Sequence, residues 1–168
     1  MIPLLILGLL QQRPTATGYE LLSYLRTHHL NYVVHVTKGS FYYNLQQLAD
    51  KGWLAPVPSA EAKENRYRTT DSGTTRFREL MVTYGQVNDV TPTAFYLVFL
   101  FADQATDLMP TILDQQITTT KAKIQATDLA LTTPEDLLPS YATILANTVA
   151  HHRANLAWFQ RLHAQYPS

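Results

Sequence analysis

Residues 37–52, TKGSFYYNLQQLADKG, are the stretch that decides the fold. Phe41, Leu45 and Leu48 recur at spacings of four and three, which predicts an amphipathic helix with one buried face. Thr37 is a suitable N-cap and Gly52 a suitable residue to end the helix. The other face carries hydroxyl and amide side chains and one Lys, whereas a solvated helix ordinarily mixes Glu and Lys. This composition indicates a helix surface that contacts another molecule.

Two more helices are predicted before this stretch. The first runs from about Ile2 to Gln11 and ends at the Arg13-Pro14 pair. The second begins at Thr17, and Glu20 follows three residues later. That spacing is a capping box, in which a hydroxyl and a carboxylate each accept a hydrogen bond from a free backbone N–H group.

The pattern changes to strands after residue 52. Residues 53–57 look extended, residues 66–70 alternate with period two, and the polar loop 58–65 lies between them, which predicts a small hairpin. Residues 71–73, Asp-Ser-Gly, then begin a helix that continues to about Tyr84. The order helix, helix, helix, hairpin, helix is that of a winged helix-turn-helix. In that arrangement the third helix enters the DNA major groove and the hairpin, or wing, lies along the backbone.

The second half of the chain is predicted to be helical. Residues 93–102 are apolar nearly all round, so this helix should be buried on several sides. Two long helices follow, from about Asp107 to Leu131 and after the break at Pro134. Each carries a heptad-like seam; the seams are Leu113, Ile117, Thr120, Ile124, Thr127 and Leu131, and Tyr141, Leu145, Val149, His152, Leu156 and Phe159.

Together these patterns predict a mainly α fold with a small β wing. Residues 1–84 should form a winged helix-turn-helix domain, and residues 85–168 a helical, coiled-coil-like dimerisation domain that also offers room for effector sensing. Imperfect seams suit a dimer clasp better than a long isolated coiled coil. Two-fold related DNA half-sites require such a dimer.

Composition sets the broad class. The chain has 168 residues and no cysteine, which excludes disulfides. The apolar run at the start is far shorter than the ~20 residues that span a bilayer, so we expect a cytoplasmic protein without a membrane partner. Net charge is zero, yet residues 1–80 carry nine Lys or Arg against six Asp or Glu, and residues 81–168 carry four against seven. The basic half is the one expected to meet nucleic acid.

The candidate DNA contacts follow from side-chain chemistry. Asn and Gln pair with adenine edges, Ser with several edges, and Lys with guanine or phosphate, while two arginines of the wing can reach phosphates. The predicted DNA-binding residues are Lys38, Ser40, Tyr42, Tyr43, Asn44, Gln47, Arg66 and Arg68. The alternative for most of these residues is that they form an ordinary solvated surface and contact no DNA. For Tyr42 two interpretations are compatible, a half-buried ring that locks the helix onto the core and a hydroxyl that contacts phosphate.

Catalytic and metal-binding patterns are missing from the sequence. It holds no nucleophile elbow, P-loop, dinucleotide fingerprint or cysteine nucleophile. The adjacent pairs His28-His29 and His151-His152 diverge by ~100° on a helix, and no zinc-type His spacing occurs. We therefore expect neither an enzyme nor a metal or other cofactor, and we expect His152 to be a satisfied interface residue whose protonation tunes dimer stability.

Four motifs in order give the chain a family resemblance. They are Ile6 to Leu10 (ILGLL), Gly18-Tyr19-Glu20, the Gly39 to Gly52 helix with Tyr42, Leu45 and Leu48, and Tyr67 to Gly73 (YRTTDSG). In these four motifs the N-terminal half of the chain resembles the PadR-type transcriptional regulators. The segments 95–103 and 155–159 are similar to the C-terminal helices of the phenolic-acid-regulator and virulence-activator-like subgroup.

The resemblance implies a homodimeric regulator, usually a repressor, that binds a palindromic operator in double-stranded DNA. Some relatives release DNA when they bind phenolic acids, and others activate transcription. Two departures concern the recognition helix: Tyr43 stands where the family commonly has Pro, and Gln46 and Gln47 stand where Lys or Arg is common. Fewer cations predict weaker non-specific binding and a shallower dependence on salt.

A small aromatic effector, such as a phenolic compound, is the expected ligand if the chain responds to one. The aromatic stripe of residues 95–101 is more typical of a core than of a pocket. The predicted effector residues are Tyr19, Tyr96 and Trp158, where the DNA-binding half is expected to meet the dimer helices. Two other functions remain open at this point, a winged-helix adaptor that binds proteins instead of DNA and a small helical enzyme with histidine chemistry.

Overall fold

The computed structural model describes residues 1–27, 34, 36–58, 65–132 and 139–166, the side chains at 140 and 141 excepted. Within these residues lie seven α-helices and three strands. In chain order they are α1 (Ile2–Gln12), β1 (Ala16–Thr17), α2 (Gly18–Thr27), α3 (Lys38–Asp50), β2 (Leu54–Val57), β3 (Arg66–Thr69), α4 (Asp71–Gly85), α5 (Thr93–Phe99), α6 (Met109–Thr132) and α7 (Pro139–His163). This mainly helical fold with a small antiparallel sheet confirms the predicted fold class.

The chain forms two compact units. The first comprises Met1–Tyr84 and Tyr96–Ala105, and the second comprises Gly85–Phe95 and Thr106–Ser168. The segment from Tyr96 to Ala105 therefore packs with the N-terminal unit, although the sequence prediction placed it in the C-terminal domain. The physical reason is the Phe101 ring, which packs at 6.0 Å from the Phe77 ring and fills the space beside Gly8.

The core of the first unit is built around α1. Its residues from Leu4 to Leu10 are all buried, so this helix is apolar on every side and not on one stripe. A Cβ at Gly8 would lie 2.6 Å from the Phe101 ring, closer than any real Cβ contact. Glycine is therefore required for the close approach of this ring to α1.

Local capping bonds begin α2 and α3 as the sequence predicts. The Thr17 N–H group donates to Glu20 Oε2 at 2.8 Å, and the Glu20 N–H group donates to Thr17 Oγ1 at 3.1 Å. Thr37 Oγ1 accepts from the Ser40 N–H group at 3.1 Å and so caps α3. Gly52 adopts a φ of 70° just beyond α3, a left-handed conformation that ends helices and favours glycine.

The wing is a three-stranded antiparallel sheet with the order β1-β3-β2. Leu54 pairs with Thr69 and Val57 with Arg66, which confirms the predicted hairpin within a residue at each end. The third strand, β1, pairs with Tyr67 and Arg66 of β3 and was not predicted. It has only two residues, too few to show the alternation by which a strand is recognised.

The second unit is organised by α6 and α7, which pack against each other in antiparallel directions. Arg153 Nη2 of α7 lies 2.7 Å from Asp128 Oδ2 of α6. The ring of Phe95 meets the ring of Phe159 edge-on, with 4.9 Å between their centroids. Five of the predicted seam residues are buried within the chain; they are Leu113, Thr120, Val149, His152 and Phe159. The seams thus serve, at least in part, to pack the two helices of one chain.

A buried polar cluster attaches the segment after α4 to α6. Asn88 Nδ2 donates to Gln116 Oε1 at 2.6 Å and to Thr120 Oγ1 at 2.8 Å. Gln116 Nε2 in turn donates to the Val87 carbonyl at 2.8 Å. Buried polar groups need hydrogen bonds to offset the loss of water. The bonds in this cluster engage the Asn88 and Gln116 amide nitrogens and the Thr120 hydroxyl, whereas Asn88 Oδ1 has no partner among the described residues.

Several sequence predictions fall on residues outside the described ranges. These are the pair His28-His29, the middle of the wing loop (residues 59–64), the helix start at Pro134 and the side chain of Tyr141. Over the residues that are described, none of the helices has both the length and the apolar character needed to cross a membrane.

Candidate nucleic-acid interface

Helix α3 presents a polar surface opposite its buried face. Phe41, Leu45 and Leu48 are buried, as predicted, and fix which side of the helix faces outward. Lys38 and Tyr43 are exposed, and 67 % of Tyr43 is accessible to solvent. Ser40, Asn44 and Gln47 are half-buried. The structure therefore brings the predicted α3 residues onto one helix, with different degrees of access.

Two of these side chains are already bonded within the helix. The Ser40 hydroxyl donates to the Thr37 carbonyl at 3.0 Å as part of the N-terminal cap. Asn44 Nδ2 donates to the Ser40 carbonyl at 2.8 Å, one turn back along the helix. Neither group is as available to a ligand as its position in the sequence predicts, because short polar side chains bond readily to nearby backbone.

Tyr42 holds α3 onto α2. A Cβ at Gly18, the first residue of α2, would lie 2.7 Å from Tyr42 Cε1, so the ring fills the space that Gly18 leaves open. The ring also meets Phe41 edge-on at 6.2 Å, and Lys38 Nζ lies 5.9 Å from its centroid. The interpretation of Tyr42 as a packing residue has direct support in these contacts. Its second interpretation, a hydroxyl to phosphate, stays a prediction.

The two wing arginines have different surroundings. Arg66 Nη2 lies 2.7 Å from Glu20 Oε1, and Arg66 Nη1 donates to the Thr15 carbonyl. Arg66 therefore ties β3 to the start of α2. Arg68 is exposed and lies opposite Ala55 in the sheet. Of the two, Arg68 is the arginine whose guanidinium is positioned for an outside partner.

Glu20 connects the capping box to the wing. The backbone N–H group of Thr17 lowers the pKa of the Glu20 carboxyl below its usual value of 4.5, and the guanidinium of Arg66 contributes to the lowering. Glu20 is therefore ionised near neutral pH and can hold Arg66. Sequence reasoning found both residues but not their pairing, because no local pattern joins positions 46 residues apart.

A tryptophan between two cations is a feature that sequence reasoning missed. Lys51 Nζ lies 5.1 Å, and Arg76 Cζ 5.3 Å, from the centroid of the Trp53 ring. Such cation–π contacts stabilise by about 0.5–1 kcal/mol at exposed sites. They bring Lys51 and Arg76 to the turn where α3 ends and β2 begins, and Arg76 is also paired with Glu79 Oε2 at 2.8 Å. The approach of α4 to this turn is not visible in the sequence.

The predicted effector residues lie in two units. Tyr19 on α2 and Tyr96 on α5 belong to the first, and 66 % of Tyr19 is exposed. Trp158 on α7 belongs to the second, where its ring meets Phe95 edge-on with 5.4 Å between centroids. Trp158 is thus part of an aromatic cluster in its own unit, and the effector role of all three stays a prediction.

Three helices followed by a short β wing and a fourth helix, with a polar outward face on the third helix, define a winged helix-turn-helix protein. Residues 6–79 match the model of the transcriptional regulator PadR-like family. This part of the chain is accordingly a PadR-like domain, as its motifs predicted.

Solved structures similar to this chain include two from Bacillus. PadR from Bacillus subtilis, in complex with operator DNA, is 18 % identical with a TM-score of 0.43, and the similarity covers 97 % of this chain and 98 % of that one. A PadR-like transcriptional regulator from Bacillus cereus is 19 % identical with a TM-score of 0.42, over 99 % and 98 % of the two chains. No curated protein sequence matches the chain.

Proposed function

We propose that this chain is a PadR-family transcriptional regulator, a homodimeric repressor that binds an inverted repeat in double-stranded DNA and is released by a small aromatic effector. In this proposal residues 1–84 bind DNA, and residues 85–168 form the dimer and sense the effector. Helix α3 lies in the major groove, and Arg68 of the wing contacts the backbone.

The observation that carries the proposal is the outward face of α3. Tyr43, Asn44 and Gln47 place uncharged donors and acceptors there, and Lys38 adds a positive charge at the first helical residue. Asp50 stands at the far end of the helix, where it accepts a hydrogen bond from Gln46 at 2.7 Å. Amides read base edges in the major groove without adding charge, whereas carboxylates on this face would repel phosphate.

Effector control requires that the ligand bind two states of the dimer unequally. A molecule with equal affinity for the DNA-binding and released states leaves the equilibrium unchanged. The residues proposed for this role are Tyr19, Tyr96 and Trp158, whose aromatic rings suit a phenolic ligand. Titration of phenolic acids into the protein–DNA complex, with Trp158→Leu as the comparison variant, tests this part of the proposal by itself.

A second candidate function is a winged-helix adaptor that binds another protein. One structural observation favours it: Arg66 is paired with Glu20, which leaves the described part of the wing with fewer cations for DNA. The composition of the α3 face argues against it, because protein interfaces enrich aromatic and apolar groups at their centre. An activator of transcription is a further alternative with the same DNA contacts.

Selection of binding sites from random duplex DNA, at two salt concentrations, tests the proposed function. Enrichment of an inverted repeat supports a dimeric sequence-specific regulator. Absence of enrichment even at low salt contradicts the proposal and favours the adaptor.

A further inference from the structure

Tyr43 and Gln47 form a pair one turn apart on the outward face of α3. Four residues of helix place them about 6 Å apart along its axis and on the same side. Two-thirds of Tyr43 is exposed, and Gln47 is half-buried. Neither the Tyr43 hydroxyl nor the Gln47 amide makes a hydrogen bond to any residue that the structure describes.

The other polar side chains of this helix are engaged. Ser40 is part of the cap, Asn44 bonds to the Ser40 carbonyl, and Gln46 Nε2 donates to Asp50 Oδ1. Each of these bonds fixes the rotamer of its side chain, so a base contact that needs another rotamer first breaks the bond. Tyr43 and Gln47 exchange only hydrogen bonds with water, so a contact with a base costs them no bond within the protein.

We infer that Tyr43 and Gln47 are the base-reading pair of α3 and that each DNA half-site presents A·T pairs to them; this inference rests on the proposed DNA-binding function. The Gln47 amide can bond an adenine at both N6 and N7, and the Tyr43 ring offers apolar contact to a thymine methyl. The pair, and not Asn44, sets specificity.

The spacing of the pair limits the site further. About 6 Å along the helix corresponds to one or two base-pair steps of about 3.4 Å. The adenine read by Gln47 and the thymine that meets Tyr43 therefore lie within two base pairs of each other. Both side chains are uncharged, so they contribute to discrimination between sequences and leave the salt dependence of binding unchanged.

The decisive experiment combines protein variants with base analogues in the selected operator. The variants are Gln47→Ala, Tyr43→Ala and, as the matched control, Gln46→Ala, and Asn44→Ala tests the rival assignment of base reading to Asn44. In the operator, each adenine is replaced in turn by 7-deazaadenine, which lacks N7, and each thymine by deoxyuracil, which lacks only the methyl group. Dissociation constants are measured for every combination, and circular dichroism checks that each variant is folded.

The inference predicts a specific loss of sensitivity in each variant. Wild-type and Gln46→Ala proteins should bind one adenine position about 5- to 150-fold better than its G·C replacement, and Gln47→Ala should lose that preference and its sensitivity to 7-deazaadenine. Removal of one thymine methyl should weaken wild-type binding about 4-fold and leave Tyr43→Ala binding unchanged.

Two results overturn the inference in distinguishable ways. If wild-type protein selects an operator but Gln47→Ala and Tyr43→Ala keep its base preferences, the pair does not read bases while the proposed function stands. Loss of those preferences in Asn44→Ala instead would assign the role to Asn44. If wild-type protein enriches no sequence at either salt concentration, the proposed function fails and the inference fails with it.

Discussion

The buried environment of His152 determines the protonation state of its imidazole. It lies on α7 with 4 % of its surface exposed, and its Nδ1 has no hydrogen-bond partner among the described residues. Burial lowers the pKa of this imidazole below its usual value of 6.5, and the charges of Lys123 and His151 act in the same direction, against an opposing effect of Asp89. The neutral form is thus the one that the fold accommodates.

The pH dependence of stability follows from this lowered pKa. Below about pH 6.5 the unfolded chain takes up a proton at His152 that the folded chain resists, so the free energy of unfolding falls as the pH falls. Replacement His152→Leu removes this titrating group, and we expect a shallower decline between pH 7 and pH 5. Chemical denaturation across this pH range measures the effect.

The exposed neighbour supplies the control for this prediction. His151→Leu should change the pH dependence less than His152→Leu, because His151 contributes to the lowered pKa of His152 only after burial and Lys123. Equal slopes for wild type and His152→Leu would show that burial of His152 does not govern acid stability.

At the scale of elements, Arg66 links the wing to α2. The guanidinium bonds both Glu20 and the Thr15 carbonyl, so β3 is tied to the capping box that begins α2. Arg68, two residues along the same strand, is exposed. One arginine therefore holds the domain together, and the other is free to meet a phosphate under the proposed function.

The two arginines should separate stability from binding when each is replaced by Ala. Arg66→Ala should lower the free energy of unfolding by about 0.5–1 kcal/mol, a value discounted because the pair is partly exposed to solvent. Arg68→Ala should leave stability unchanged and weaken binding to all DNA sequences alike. It should also reduce the slope of log K against log salt by about 1 for each phosphate that the arginine neutralises.

Thermal unfolding and DNA titrations at several salt concentrations measure the two effects. The converse pattern, in which Arg66→Ala changes the salt slope and Arg68→Ala does not, would contradict the assignment of the two roles.

At the scale of the whole molecule, α6 and α7 are the elements proposed to join two chains. Part of each predicted seam is buried by the packing of α6 on α7 within one chain. Apolar surface remains on the outside of this pair, where 63 % of Ile144 is exposed. Exposed large apolar residues on a helical surface are typical of interaction sites when they cluster.

A charge at Ile144 should weaken the proposed dimer. We expect Ile144→Glu to raise the dimer dissociation constant about tenfold or more, because burial of an unpaired carboxylate is strongly unfavourable. Ala146→Glu places the same charge on the opposite side of α7 and should have little effect. Sedimentation velocity over a range of protein concentrations compares the variants. Equal association of the two variants would show that Ile144 lies outside the interface.

The sequence by itself determined the local features of this protein. The capping box of α2, the Thr37 cap, the Gly52 stop and the buried stripe of α3 were all predictable, because each depends on residues within about four positions of one another. The order of elements and the family motifs followed from the same local signals. Strand β1 was not predicted, because two residues are too few to show the alternation of a strand.

Only the tertiary structure decided which polar groups already have partners within the protein. The pairing of Arg66 with Glu20, the packing of Tyr42 against Gly18 and the return of Phe101 to Gly8 join positions far apart in the chain. The bond from Asn44 to the Ser40 carbonyl is local, yet it depends on which rotamer the side chain adopts on the folded surface. Sequence spacing shows which face a residue occupies, whereas its hydrogen-bond partners are set by what the folded chain brings within about 3 Å.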